Sequence, residues 1–134
     1  MTTEYILDGT RITSLEAFYE QISDTLIPGA DWGRNLDSFD EVLRGYFGTP
    51  RTGFTLRWTH SEVSRAHLGY TETTRQLEIR LKHCHPTYRD IVQRELDAAG
   101  QGIGPTVFDR LVEIIRYHGP GGEEAKSNVR LVLE

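Results

Sequence analysis

The chain has 134 residues, of which 37% are apolar and 26% are charged, a composition typical of one globular domain rather than of a disordered chain. Its single cysteine, Cys84, excludes an intrachain disulfide framework, and no apolar run reaches the length of a membrane span. We therefore expect a single domain over residues 1–134, with no secretory signal at the N-terminus and a cytoplasmic location.

The net charge of −5 arises from one segment of the chain. Residues 16–41 contain seven carboxylates and one base, Arg34, so this segment carries −6 and the remainder about +1. Such a concentration argues against a nucleic-acid-binding protein, which needs Lys and Arg contacts to phosphate, and it suits a basic partner. Charge alone leaves open the alternative of an ordinary solvated helix face.

The first part of the chain predicts a strand followed by a helix. The apolar run Tyr5–Leu7 indicates a short strand. Thr13 and Glu16 stand at capping-box spacing and predict the start of a helix, which Pro28 ends. Apolar residues recur at four-residue steps on one face of that helix: Phe18, Ile22 and Leu26.

A second helix is expected to begin near Arg34 or Asn35. Apolar residues at three- and four-residue steps predict its buried stripe: Leu36, Phe39, Leu43 and Phe47. At about 100° per residue, the charged residues share the flank beside that stripe: Asp37, Asp40, Glu41 and Arg44. One base reduces the negative field of this flank but does not cancel three carboxylates.

The remainder of the chain predicts two more strands and further helices. Phe54–Trp58 alternates as a strand does, and Val129–Leu133 is the last strand. Ser61 or Thr59 is expected to cap a short helix, and residues 71–82 fit a strand or, as we favour, a helix. Pro86 is expected in the first turn of another helix, with this stripe: Tyr88, Ile91, Val92, Glu95 and Leu96.

A strongly apolar helix is predicted from about residue 106, and apolar residues on most of its sides suggest burial between neighbours. Glycines and a proline at 119–122 end it. Strands separated by helical segments indicate an α/β domain with a mostly parallel sheet, because helical crossovers return strands in parallel.

The sequence lacks the motifs of an enzyme. It contains no Gly-x-Ser-x-Gly elbow, and the glycine-rich run 100–104 has neither a preceding strand nor a following Lys-Ser/Thr pair. His83, Cys84 and His85 form the most metal-like cluster, but a structural zinc site needs four ligands and there is no second cysteine. We expect no catalysis, no metal and no cofactor. An enzyme or metal protein built on this cluster is the competing hypothesis.

Trp32, beside the acidic helix, has two interpretations. A large aromatic ring flanked by carboxylates is typical of an anchor in a protein interface. A tryptophan at a helix entry is also typical of a core residue that fixes the incoming chain.

The segment from Asp31 to Gly45 resembles the signature of the barstar family of ribonuclease inhibitors. Its residues match that signature by identity at six positions: Gly33, Asn35, Leu36, Asp37, Leu43 and Gly45. The resemblance is most specific over residues 4–60 and weaker over 105–134. It implies a barstar-like α/β fold with a three-stranded parallel sheet packed with helices, and an extra helical insertion around 70–104.

In that family the acidic helix and the loop before it block the active site of a small basic ribonuclease. The resemblance implies that Asp37 matches the first interface aspartate of the family and that Glu41 stands at the position of the second interface carboxylate. Glu113 is the nearest candidate for a further acid from the late helix. The partner-binding residues expected from the resemblance and the acidic flank are Asp31, Trp32, Asn35, Asp37, Asp40, Glu41, Arg44 and Tyr46.

The expected function is therefore inhibition of a basic, extracellular-type ribonuclease by stoichiometric binding. No direct contact with nucleic acid or with a membrane is expected. The aromatic positions of the family are rearranged here. By resemblance, Asp31 stands where the family has an interface tyrosine, Asp40 where it has a tryptophan and Tyr46 where it has another aromatic residue, while Arg44 replaces a small residue. An immunity protein against a different nuclease or toxin, on the same scaffold, is the alternative.

Overall fold

The structure is a computed structural model that describes residues 3–134, so the first two positions of the predicted domain lie outside the described residues. Within that range the strands are β1 (Glu4–Asp8), β2 (Phe54–Thr59) and β3 (Val129–Leu133). The helices are α1 (Leu15–Leu26), α2 (Leu36–Arg44), α3 (Ser61–His67), α4 (Tyr70–His83), α5 (Arg89–Gly100) and α6 (Val107–Tyr117). Short 3₁₀ turns occupy Gly9–Arg11, Pro86–Tyr88 and Ala125–Ser127.

The three strands form one parallel sheet in the order β1-β2-β3. Leu56 in the central strand lies opposite Tyr5 of β1 and Leu131 of β3. Alternate residues of β2 point to the same side of the sheet and are fully buried: Phe54, Leu56 and Trp58. Arg57 lies between them on the half-exposed side. The predicted α/β fold with a three-stranded parallel sheet is confirmed.

An aromatic core holds three helices against the buried side of the sheet. The ring of Trp58 lies 5.4 Å from that of Phe18 in α1 and 5.1 Å from that of Phe108 in α6. Phe39 of α2 lies 5.2 Å from Phe18, edge to face. The indole N–H of Trp58 donates to the hydroxyl of Ser64 at 2.9 Å, so this buried polar group is satisfied. The core therefore fixes α2 relative to the sheet.

Helix starts differ from the prediction at two places. Ser14, not Thr13, caps α1 by accepting a hydrogen bond from a backbone N–H in the first turn. α3 follows His60, whose backbone is left-handed (φ 49°) and whose side chain makes no cap. The predicted cap by Ser61 or Thr59 is wrong, because Ser61 is the first helical residue and its hydroxyl donates to the last carbonyl of the chain.

Residues 70–100 form a hairpin of α4 and α5, which confirms that the predicted insertion is helical and that 71–82 is a helix. Pro86 opens a 3₁₀ turn rather than α5 itself. The predicted stripe of α5 is only partly buried: Val92 is inaccessible, but Tyr88 and Ile91 are 56% and 50% exposed. The reason is that α5 packs mainly against α4 and has no second large surface to cover it.

Polar contacts attach α4 to two core helices. The carboxylate of Glu72, which is 6% exposed, accepts a hydrogen bond from the N–H of Leu15 at 2.8 Å and pairs with Arg75 at 2.6 Å. Burial alone would raise the pKa of Glu72, but these hydrogen bonds outweigh it and lower the pKa. The hydroxyl of Thr73 accepts from the N–H of Val107 at 2.9 Å. The hairpin thus satisfies backbone groups at the starts of α1 and α6.

The late helix, α6, is amphipathic rather than apolar on most sides, which corrects the prediction. Its core-facing residues are buried: Val107, Phe108, Leu111, Val112 and Ile115. Its charged residues are exposed: Asp109, Arg110, Glu113 and Arg116. The helix lies on the sheet with one side in solvent. No helix within residues 3–134 has both the length and the apolar character needed to cross a membrane.

Candidate functional site

α2 is fixed at both ends by residues that its sequence supplies. The helix begins where the sequence predicted, with Asn35 as its N-cap, and the side-chain oxygen of Asn35 accepts from a first-turn N–H at 2.8 Å. Gly45 ends the helix with φ 92°, and a Cβ there would lie 2.9 Å from the carbonyl oxygen of Thr49, so glycine is required. The helix therefore stops before Phe47, which packs on the core from the following turn and not from the predicted helical stripe.

The orientation of α2 separates its charged residues into two pairs. The helix buries three residues: Phe39, Val42 and Leu43. Val42, which the predicted stripe did not include, is also buried, so the buried face of α2 is centred farther from the flank that carries Asp37 and Glu41. Asp37 and Glu41, at about 100° and 140° from the first helical residue, consequently lie opposite the core. Asp40 and Arg44 lie closer to it, and both are only partly exposed.

Asp37 and Glu41 are exposed, and within the described part of the chain neither forms a side-chain hydrogen bond or an ion pair. They are one helical turn apart, so both can enter one concave site. Asp37 lies in the first turn, where the helix dipole favours a negative charge. We call these two residues the acidic face of α2. Asp31, in the loop before the helix, is also exposed.

Asp40 is directed into the protein. Its Oδ1 lies 2.5 Å from Nε2 of His118, and its Oδ2 accepts from Nε of Arg44 at 2.9 Å. His118 is fully buried, and its Nδ1 lies 3.0 Å from the hydroxyl of Ser127. Arg44 also approaches Glu124 at 3.6 Å. This network joins α2 to the end of α6 and to the turn before β3, so Asp40 and Arg44, both predicted to contact a partner, serve internal contacts.

The same network predicts a pH-dependent contribution to stability. Partial burial alone would raise the pKa of Asp40, but hydrogen bonds from His118 and Arg44 hold the pKa below its ordinary value of 3.8. A carboxyl whose pKa is lower in the folded state stabilises it above its unfolded pKa, and this contribution is lost as the pH falls through the folded pKa.

We expect Asp40→Asn to lower the free energy of unfolding by about 1 kcal/mol at neutral pH, since solvent reaches a third of this carboxylate. The difference from the parent should shrink below about pH 4. Urea unfolding at several pH values measures it, with Asp24→Asn on the exposed side of α1 as control. A difference that stays constant through the acid range would contradict this assignment.

Trp32 is a core residue. It is 2% exposed, its indole N–H donates to the hydroxyl of Ser23 at 2.7 Å, and its ring packs edge to face on Tyr19 at 5.5 Å. Of the two interpretations that the sequence left open, the structure supports the core residue. Its side chain has almost no surface to offer a partner in this structure, and the predicted contact of Trp32 with a partner stays a prediction.

The other residues predicted to contact a partner differ in how far their side chains are exposed and free of internal contacts. Tyr46, directly after the helix cap, is 57% exposed, and the guanidinium of Arg51 lies over its ring at 5.6 Å. Asn35 is exposed, but its side-chain oxygen is committed to the cap. Glu113 is exposed on α6. Of the residues predicted to contact a partner, those with exposed and uncommitted side chains are therefore the acidic face, Asp31 and Tyr46.

Three features of the site were not evident from the sequence. His118 is an isolated histidine, and only the tertiary structure brings it to Asp40. The seven carboxylates of residues 16–41 are not equally free, because Glu16 pairs with Arg75 of α4 at 2.5 Å. The burial of Val42 could have been predicted by allowing a wider apolar stripe on α2.

The His83–His85 segment shows no metal-binding arrangement. Across residues 3–134, no group of three or more His, Cys, Asp and Glu side chains is placed to hold a metal ion. Nδ1 of His85 accepts from the N–H of Thr87 at 3.1 Å, so this histidine caps the 3₁₀ turn before α5.

Comparison with known proteins identifies the family. The family model described as barstar (barnase inhibitor) matches residues 2–99, which span β1 to α5 and include the whole of α2. The match runs through most of the predicted insertion and stops before α6 and β3, so the resemblance over 105–134 stays a prediction. A search of curated proteins finds no match. Because the matched segment covers well over half of its length, the chain belongs to the barstar family.

Proposed function

We propose that the protein inhibits a basic ribonuclease by inserting the acidic face of α2 into the active site of that enzyme. The observation that carries this proposal is that two exposed carboxylates, Asp37 and Glu41, lie one turn apart on a helix that is fixed by a cap at each end. Membership of a family described as barnase inhibitors supports an inhibitor or immunity-type function.

The physical basis is competition with RNA phosphate. Two carboxylates a helical turn apart present negative charge to the Lys, Arg and His side chains that would otherwise bind the substrate. Opposite charge steers encounter, and pairing in a desolvated site slows dissociation. Because the acidic face has no competing ion pair within residues 3–134, binding breaks no internal contact of Asp37 or Glu41. The caps keep α2 ordered before binding, which reduces the entropy lost on association.

An immunity protein against another nuclease is the second candidate, and one observation favours it. Asp40 is bonded to His118 inside the protein. By resemblance, the position of Asp40 carries a tryptophan in the family. The contact surface here therefore differs beyond the shared carboxylates, which favours a target other than barnase.

We further propose that the protein acts by binding alone, without a cofactor and without direct contact to nucleic acid or membrane. A cytoplasmic location remains a prediction from composition. The purified protein should show no nuclease or hydrolase turnover of its own. Activity that survives repurification and disappears on changing one His or Cys residue would contradict this.

The proposal is tested by titrating the protein into a panel of small basic microbial ribonucleases, barnase included, and measuring residual RNA cleavage. We expect cleavage by at least one enzyme to fall linearly to zero at a 1:1 ratio. Inhibition of another member but not barnase would favour the second candidate. A panel in which every ribonuclease keeps full activity, followed by a pull-down that retains no basic nuclease, would contradict both.

Substitutions in the hairpin should leave binding unchanged. Arg89 and Arg94 are exposed on α5, outside the acidic face. We expect Arg89→Ala and Arg94→Ala to change the dissociation constant by less than about twofold, as is usual for surface sites away from an interface. Binding kinetics against the inhibited ribonuclease measure this. A loss as large as that from Asp37→Ala would move the interface to the hairpin.

A further inference from the structure

An apolar cavity of about 360 Å³ lies between the α4–α5 hairpin and the body of the domain. Its wall is made largely of aliphatic side chains from four helices and the loop before α6: Leu15, Leu77, Ala98, Ile103, Val107 and Leu111. Its volume lies within the range of roughly 300–1,000 Å³ that is usual for small-molecule sites, which are likewise mostly apolar with a few polar groups. The incomplete burial of α5 thus leaves a space of ligand size.

The charged groups at this cavity favour an anion. Arg80 and Arg110 both line it, against one carboxylate, Glu95. Arg80 lies 3.7 Å from Glu95, beyond hydrogen-bond distance. Arg110 forms no ion pair with any described residue of the chain. Thr73, by contrast, has its hydroxyl committed to internal contacts with Gly69 and α6. Among the charged side chains that line the cavity, two arginines therefore stand against one carboxylate.

We propose that this cavity binds an amphipathic anion, with its alkyl or aryl group against the aliphatic wall and its carboxylate paired with Arg110. An apolar ligand alone would gain nothing from Arg110, which is exposed at the cavity, and a cationic ligand would be repelled by it. The two residues of the acidic face do not line the cavity, so the proposal is independent of inhibitor function.

The test uses octanoate as the probe and octanol as its uncharged match, each titrated calorimetrically into the full chain. We expect octanoate to bind saturably with one site per chain, and octanol to bind about fivefold more weakly, the upper end of what an exposed ion pair contributes. Arg110→Gln should weaken octanoate about fivefold and leave octanol unchanged. Arg116→Gln, the same change on the exposed side of α6 and outside the cavity, should alter neither.

Ala98→Leu tests the location, because the larger side chain fills the cavity from α5. It should weaken both probes about tenfold or more. Circular dichroism confirms folding, and Arg110→Gln, which changes an exposed side chain, keeps the test decisive if Ala98→Leu does not fold. The proposal is overturned if octanoate shows no saturable binding, if octanol binds as tightly as octanoate, or if Arg110→Gln and a folded Ala98→Leu both bind octanoate like the parent.

Discussion

Replacing Asp37 or Glu41 with alanine is expected to raise the dissociation constant for the inhibited ribonuclease by about 30-fold or more. Under the proposed function, each substitution removes a carboxylate that would pair with a cation of the nuclease in a site from which water is excluded. The stranded positive charge then costs about 2–5 kcal/mol, most of it expressed as faster dissociation. The fold should survive, because both side chains lie opposite the buried face of α2.

The chain supplies matched controls for both changes. Asp90 occupies the same position in the first turn of α5 that Asp37 occupies in α2, and it is exposed. Glu78 is an exposed carboxylate within α4, as Glu41 is within α2. Asp90→Ala and Glu78→Ala therefore make the same change in net charge. Surface binding kinetics should show almost no change for them. If folded Asp37→Ala and Glu41→Ala bind as tightly as these controls, the acidic face is an ordinary solvated surface.

The second large effect is on stability. We expect Trp32→Ala to lower the free energy of unfolding by about 3–5 kcal/mol, because it removes a buried aromatic ring packed on Tyr19. Trp32→Phe keeps most of the apolar volume but leaves the buried hydroxyl of Ser23 without its donor. It should cost about 1–2 kcal/mol. Urea unfolding followed by circular dichroism measures both variants.

Binding by Trp32→Phe distinguishes a core residue from an interface anchor. Since the ring of Trp32 is almost completely buried, a folded Trp32→Phe protein should inhibit the ribonuclease within about twofold of the parent. Full stability combined with a large loss of binding would show that Trp32 contacts the partner after a rearrangement of the loop. That result would reverse the assignment made from its burial.

Local patterns predicted the elements well, because their causes are local. The alternation Phe54-Leu56-Trp58 marks a half-buried strand, and Asn35 marks a helix start whose hydrogen bond spans three residues. Gly45 ends α2 for a reason that is also local. The error at Ser14 is a displacement of one residue, where neighbouring Thr and Ser residues compete for one cap. At α3 the predicted side-chain cap is absent, because His60 precedes the helix in a left-handed conformation.

The pairing of charges was not predictable in this way. Asp40 is bonded to His118, 78 residues further along the chain, and Glu16 to Arg75, 59 residues further. A count of charges along the sequence treats all carboxylates of residues 16–41 alike, whereas the folded chain neutralises some and leaves others exposed. The resemblance to a family pointed to α2, but only tertiary contacts distinguish Asp37 and Glu41 from Asp40 on that helix.

Whether the acidic face of α2 blocks the ribonuclease active site is decided by titrating RNA cleavage with two matched double variants. Asp37→Ala/Glu41→Ala and Asp90→Ala/Glu78→Ala have the same net charge and should both remain folded. The control double variant should inhibit at a 1:1 ratio like the parent. The acidic-face variant should leave cleavage almost unaffected at that ratio. Equal inhibition by the two double variants would contradict the account.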